Sequence, residues 1–171
     1  MKLRDYLTEL FKSDVGVHVH PQRRKKKVKE PASKTFKTSW FLDVGGKKNA
    51  EYFFEATYHN ITALPSLPKG YYNVSFGIQY APEEFRDKIS DQFDLTGLGN
   101  ATKVLSGVVS SFKSFVKRTN PEVFIYSAEK GSRVRLYDRF AKIIEKESGY
   151  KYERRPSRFR DMDFDWIFYN V

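Results

Sequence analysis

Cysteine is missing from all 171 residues. Its absence excludes disulfides, thiolate metal sites and a cysteine nucleophile. Histidine is scarce as well: His18, His20 and His59 are the only three. His18 and His20 would share one face of an extended segment. With no thiolate and one further imidazole, however, a third ligand would have to be a carboxylate, and no metal site is expected. No apolar run approaches the roughly 20 residues a membrane span needs, and the first residues lack the apolar core of a signal peptide. A soluble protein is the expectation, and the absence of cysteine fits a cytosolic or intravirion setting.

Hydrophobic residues make up 40% of the chain and aromatics 16%, mostly Phe and Tyr, which is enough to build a core over this length. The net charge of +10 is unevenly spread. Residues 1–39 hold 11 Lys/Arg against 4 Asp/Glu, or +7, whereas residues 40–171 hold 20 against 17, or +3. Basicity is therefore concentrated on a leading segment. In "MKLRDYLTELFK", Leu3, Tyr6, Leu7, Leu10 and Phe11 recur at i, i+3, i+4, i+7 and i+8, one face of a short amphipathic helix. Such a helix is too short to stand alone and must dock on its own domain or on a partner. Arg23, Arg24, Lys25, Lys26, Lys27 and Lys29 follow, six cations in seven positions. They read either as a solvated linker or as a phosphate-neutralising arm that binds nucleic acid without reading bases.

Core patterning starts near residue 35, so the chain divides into a 1–34 helix-plus-basic-arm segment and a 35–171 globular domain. "TFKTSWFLDV" and "EYFFEATYH" read as a hairpin, and the two prolines of "ITALPSLPKG" mark a loop. In "YYNVSFGIQY", Tyr72, Val74, Phe76, Ile78 and Tyr80 alternate onto one strand face. "APEEFRDKISDQ" reads as a helical turn or an insertion. A helix from Asn100 follows, with Val104, Leu105, Val108, Val109, Phe112, Phe115 and Val116 on its apolar stripe and Ser106 among the outward residues. It should end before Asn120-Pro121. "EVFIYSA" is a strand, "GSRVRLYDRFAKIIEKESGY" a helix stopped by Gly149, and "MDFDWIFYNV" the last strand. No internal repeat is present. The fold class expected is α+β: a mixed, largely antiparallel sheet with helices packed across it.

The helix at residue 100 is preceded by "DLTGLGNA". A glycine turn here either cradles a phosphate with its N–H groups at a helix N-terminus or simply turns the corner from strand to helix. The run "TGLGNATKVLSGVVSSFKSFV", "EVFIYSA", "RVRLYDRFAKII…GY" resembles the core of the GNAT-type N-acetyltransferases over residues 71–150. That resemblance implies a GNAT-like fold and an acetyl-CoA site in which Gly97, Leu98, Gly99, Asn100 and Ala101 hold the pyrophosphate. It also implies Tyr137, beside Leu136, as the acid that protonates the leaving thiolate. The chain departs from the family pattern at Asp94, Lys130 and Arg133, and only Glu83, Glu84 and Asp87 offer themselves nearby as a base.

The leader "MKLRDYLTELF" is similar to the head-targeting leaders of internal proteins in T-even-like phages, with Leu7-Thr8-Glu9 matching their prohead-protease site at Leu7 and Glu9. "VRLYDRFAKIIEKESGYKY" resembles the non-catalytic N-terminal region of the ADP-ribosyltransferase (Alt) that these phages package. Together the resemblances imply a bacteriophage-encoded protein, non-catalytic, acting in the host cytoplasm or as a virion internal protein. Its basic N-terminal arm would associate with nucleic acid or with head components. An active acyl-CoA-dependent N-acyltransferase and an inhibitor of a host protein are the alternatives. A second basic group, Arg154, Arg155, Arg158 and Arg160 beside Tyr150, Tyr152 and Phe159, suits stacking on single-stranded nucleic acid or forms an ordinary surface loop. Ser132 is read as the cap of the last helix.

Overall fold

The structure is a computed structural model that describes residues 18–19, 35–43, 49–62, 69–83, 101–128, 132–157 and 161–170. Its strands are β1 (His18–Val19), β2 (Thr35–Asp43), β3 (Asn49–Thr62), β4 (Lys69–Tyr80), β5 (Val123–Ala128), β6 (Lys151–Pro156) and β7 (Phe164–Tyr169). Its helices are α1 (Ala101–Thr119) and α2 (Ser132–Ser148). The sheet order is β1-β2-β3-β4-β5-β7-β6. β1 pairs antiparallel with β2, and β7 pairs antiparallel with both β5 and β6. Five residues separate β2 from β3 and six separate β3 from β4, too few for a crossover, so these neighbours also run antiparallel. β4 and β5 are parallel, in register at Tyr72↔Phe124 and Asn73↔Ile125, and α1 is their connection. The fold is thus the α+β class expected, a mixed and mostly antiparallel sheet with two helices among the described residues.

Two compact units are formed from interleaved pieces of chain. In the described parts of Phe36–Glu55 and Ser75–Ser114, Thr38, Trp40, Phe54 and Phe76 of the strands meet α1. Trp40 stacks on Tyr52 with ring centroids 5.7 Å apart. Phe112 of α1 sets its ring edge-on to Phe54 at 4.8 Å and to Phe76 at 6.2 Å. Gly107 lets the helix backbone come down onto the Trp40 indole, and Thr38 donates to Ser111 at 2.8 Å beneath it. In Ala56–Val74 and the described parts of Phe115–Val171, Phe115 packs edge-on against Tyr72 and Phe124. Phe124 lies flat on Phe168 at 4.6 Å, the partner its register gives it. The opposite sheet face carries a second buried group, Tyr71, Val123, Ile125 and Ile167. Offset and edge-on aromatic pairs each add about 1 kcal/mol beyond the area they bury, which suits a chain so rich in Phe and Tyr.

Local signals place the helix ends. Asn120 adopts φ +41° and its N–H reaches the Val116 carbonyl at 2.9 Å, closing α1 one residue before Pro121. Gly149, at φ +78°, closes α2 through the Glu145 carbonyl, a conformation that costs a residue bearing a Cβ. Three details differ from the sequence reading. Residues 104–109 of α1 are buried without a break, so Ser106 lies inside the fold rather than on an outward face. Its small side chain and Gly107 let the helix sit close to its surroundings. Tyr80 is exposed at the end of β4, while Tyr71 is buried on the other face. The strands reach into the proline loop, with β3 running to Thr62 and β4 starting at Lys69. The expected segment "APEEFRDKISDQ" lies outside the described residues beyond Glu83. Among the described residues no helix is long and apolar enough to cross a membrane.

Candidate functional site

Of the residues read as a coenzyme and acid site, the structure describes two. Ala101 is the first residue of α1 and belongs to the first unit. Tyr137 lies on α2 in the second unit. Gly97, Leu98, Gly99 and Asn100 lie outside the described residues, as do the arm Arg23–Lys29 and the Leu7/Glu9 cleavage site. Glu83 is exposed just beyond β4, and Glu84 and Asp87 are outside the described set.

Tyr137 faces inward because α2 turns Tyr137, Phe140, Ala141 and Ile144 to the sheet, a spacing of three and four residues. Its ring stands edge-on to Tyr126 at 5.6 Å and to Trp166 at 5.7 Å, and lies tilted against Phe140. Its backbone carbonyl accepts the Tyr126 hydroxyl at 3.0 Å. Only 6% of the residue reaches solvent, so little of the phenol edge is open to a leaving group, which an acid must approach within hydrogen-bond reach. Tyr126 is held protonated: burial pushes its phenol well above the ordinary value, with Tyr137, Tyr152 and Asp138 adding to the shift.

Around this aromatic group the acids of α2 are engaged. Asp138 accepts the Trp166 indole N–H at 3.0 Å on Oδ1 and Arg154 Nη1 at 2.8 Å on Oδ2. The Arg154 guanidinium also sits 4.9 Å from the centre of the Phe164 ring. Arg155 pairs with Glu153 at 2.8 Å. Tyr150 is buried with its hydroxyl on the Pro121 carbonyl, and Tyr152 stacks on Phe168. Of the rings read as stacking surfaces for bases, Tyr150 is therefore packed into the protein's own core, and Tyr152 is half-buried with its ring on Phe168. Strand pairing sets Tyr152 opposite Phe168 of β7, whereas Tyr150, just before β6, packs on Phe124 of β5. Arg158, Phe159 and Arg160 lie outside the described residues.

Sequence reasoning missed Asp165. It is 1% exposed, and its Oδ1 accepts Ser127 Oγ at 2.6 Å and Ser157 Oγ at 2.7 Å. A buried carboxylate persists where such donors replace water. Beside it the backbone continues the link, with Ser157 N–H on the Asp163 carbonyl and Asp163 N–H on the Ala128 carbonyl. The group ties the carboxyl end of β5 to β7 and to the residue after β6. The available signal was an acid two positions before Ile167 in the run "FDWIFY", on a strand apolar on both faces. His18 lies opposite Ser39 and His59 stacks on Tyr71. Among the described residues no three His, Asp or Glu side chains are placed to hold a metal ion. Comparison with family models, with curated proteins and with solved structures finds no match to this chain.

Proposed function

We propose that this is a bacteriophage-encoded protein with a GNAT-like α+β fold that binds nucleic acid through its basic arm and does not itself transfer acyl groups. The head interior or the host cytoplasm is where it would act. One observation carries the reading: six of the seven residues from Arg23 to Lys29 are cations, on a segment of net charge +7, while residues 40–171 carry only +3. A run of this density neutralises several phosphates at once and displaces their counterions. The burial of Tyr137 among Tyr126, Phe140 and Trp166 supports the non-catalytic half.

The test is a salt titration of binding to a labelled duplex DNA. Six phosphate contacts give a slope of log K against log salt of about −5. Replacing Arg23, Arg24, Lys25, Lys26, Lys27 and Lys29 with Gln should remove most of that slope, and a salt-independent or unaltered response rejects the arm. If the protein is packaged into heads, mature particles should contain a chain cut after Glu9, and an intact Met1 there excludes processing at that site.

A second reading is an acyl-CoA-dependent N-acyltransferase, with Gly97–Ala101 at the pyrophosphate and Tyr137 as acid. It is favoured by the parallel β4/β5 pair with α1 as its connection. In sheets with parallel strands, ligands gather beyond the carboxyl ends where strand order switches, and the segment leaving β4 is the one that enters α1 at Ala101. Calorimetric titration with acetyl-CoA and CoA, using Gly99→Glu as the control, decides between the two. Micromolar binding abolished by Gly99→Glu, together with turnover lost in Tyr137→Phe, would replace the first reading by the second.

A further inference from the structure

Five described positions of α2 are exposed: Arg135, Arg139, Lys142, Lys146 and Glu147. At 100° per residue the four cations fall within an arc of about 60°. They stand opposite Tyr137, Phe140, Ala141 and Ile144, which face the core. Glu147 lies about a third of a turn away. The other two acids of the helix, Asp138 and Glu145, sit on the flank toward β6. There Asp138 is paired with Arg154, and Glu145 with Lys151 at 3.3 Å. The outward face of α2 is therefore a single-sign stripe, its neighbouring acids neutralised by cations of a different strand.

The stripe also runs against what the helix itself would prefer. The first turn contains no acid and carries Arg133 and Arg135, although cations at a helix N-terminus oppose the dipole. Like charges three and four residues apart repel. A surface serving solubility alone is served by mixed signs. From Arg135 to Lys146 the stripe is about 16 Å long, the axial rise of about five base pairs.

We propose that Arg135, Arg139, Lys142 and Lys146 form a second nucleic-acid contact, a backbone-binding face of α2 that lies along the phosphates of a duplex. This rests on the nucleic-acid reading above but not on the arm. Contacts of this kind position the protein and carry no base specificity; the occupant is the sugar–phosphate backbone of DNA.

The experiment measures binding of the full chain to a fluorescein-labelled mixed-sequence 20-base-pair duplex over a range of salt. Four variants are compared with the parent: Arg135→Gln/Arg139→Gln/Lys142→Gln/Lys146→Gln, the arm-neutralised chain, and the charge-matched doubles Arg139→Gln/Lys142→Gln and Lys37→Gln/Lys69→Gln. Gln keeps helix propensity at exposed sites, and circular dichroism checks the fold. The quadruple variant should reduce the salt slope by about 3 to 4. Arg139→Gln/Lys142→Gln should reduce it by about 2, whereas Lys37→Gln/Lys69→Gln, which removes the same charge elsewhere, should leave it within about half a unit. An unchanged slope in the quadruple variant overturns the α2 face, and the arm reading then stands or falls on the arm variant alone. Loss in the quadruple variant with none in the arm variant supports the α2 face and removes the arm. Vesicles of phosphatidylserine and phosphatidylcholine are the competing surface. If the quadruple variant loses vesicle binding but keeps DNA binding, the face belongs to a membrane and the inference is wrong.

Discussion

Gly107 decides how closely α1 approaches β2, and Gly107→Ala tests that directly. By helix propensity alone the substitution should stabilise α1 by about 1 kcal/mol. The structure opposes it: a Cβ built at Gly107 would lie 2.3 Å from Trp40 Cε2, 2.4 Å from Nε1 and 2.8 Å from Cδ2. Trp40 is fully buried and stacked on Tyr52, so the indole has nowhere to go and either α1 or β2 must shift. Overpacking of a tight core costs about 1–3 kcal/mol. Less the propensity gain, the net expectation is a destabilisation of about 1 kcal/mol, or a drop in Tm of roughly 2–4 °C for a chain this size. Urea unfolding followed by tryptophan fluorescence measures it. Trp40→Phe removes Cε2 and Nε1, so in the double variant the Ala should cost less than it does alone, with a coupling of about 0.5–3 kcal/mol. A more stable Gly107→Ala, or additive single effects, would refute the close packing of α1 on Trp40.

Alkaline unfolding should be steep. Burial raises the Tyr150 phenol to about 12, above its ordinary value near 10, so the unfolded chain loses this proton first. The stability it contributes is complete below about pH 10 and is lost as pH rises toward 12, at about 1.4 kcal/mol per unit. Urea midpoints at pH 9, 10 and 11 should fall accordingly, and Tyr150→Phe should flatten the decline. Neutralising the α2 stripe with Gln relieves like-charge pairs worth about 0.2–0.5 kcal/mol each. The free quadruple variant should therefore be more stable than the parent by about 1 kcal/mol at low salt, with the gap closing near 1 M. Asp165→Ala strips Ser127 and Ser157 of their shared acceptor and should destabilise the protein by about 2 kcal/mol. Ser127→Ala should cost less, as read from urea midpoints.

Much of the architecture was legible because it is local. The apolar stripe from Val104 to Phe115 and the Asn120-Pro121 stop delimit α1 through backbone sterics. The Gly149 stop works the same way, since a glycine tolerates the left-handed turn that ends α2. Alternation in "YYNVSFGIQY" placed a strand, although it did not reveal that Tyr71 is buried on the reverse face. Charge density from Arg23 to Lys29 needs no fold to be seen. The spacing of Arg135, Arg139, Lys142 and Lys146 is equally present in the linear chain.

Strand order is another matter, because pairing between residues far apart in sequence leaves no periodic trace. Only the tertiary structure inserted β7 between β5 and β6 and made β4 and β5 parallel neighbours. That pairing set Ser127 and Ser157 around the carboxylate of Asp165, 38 and 8 residues away in sequence. It also closed the aromatic group around Tyr137, packing that ring against Tyr126, Phe140 and Trp166. The same event made the α2 stripe a surface of one sign: Arg154 and Lys151 of β6 reach Asp138 and Glu145 only when β6 folds back beside the helix. Helix periodicity is written in neighbours three and four residues apart, whereas the neutralisation of those acids depends on contacts that exist only after the sheet has formed.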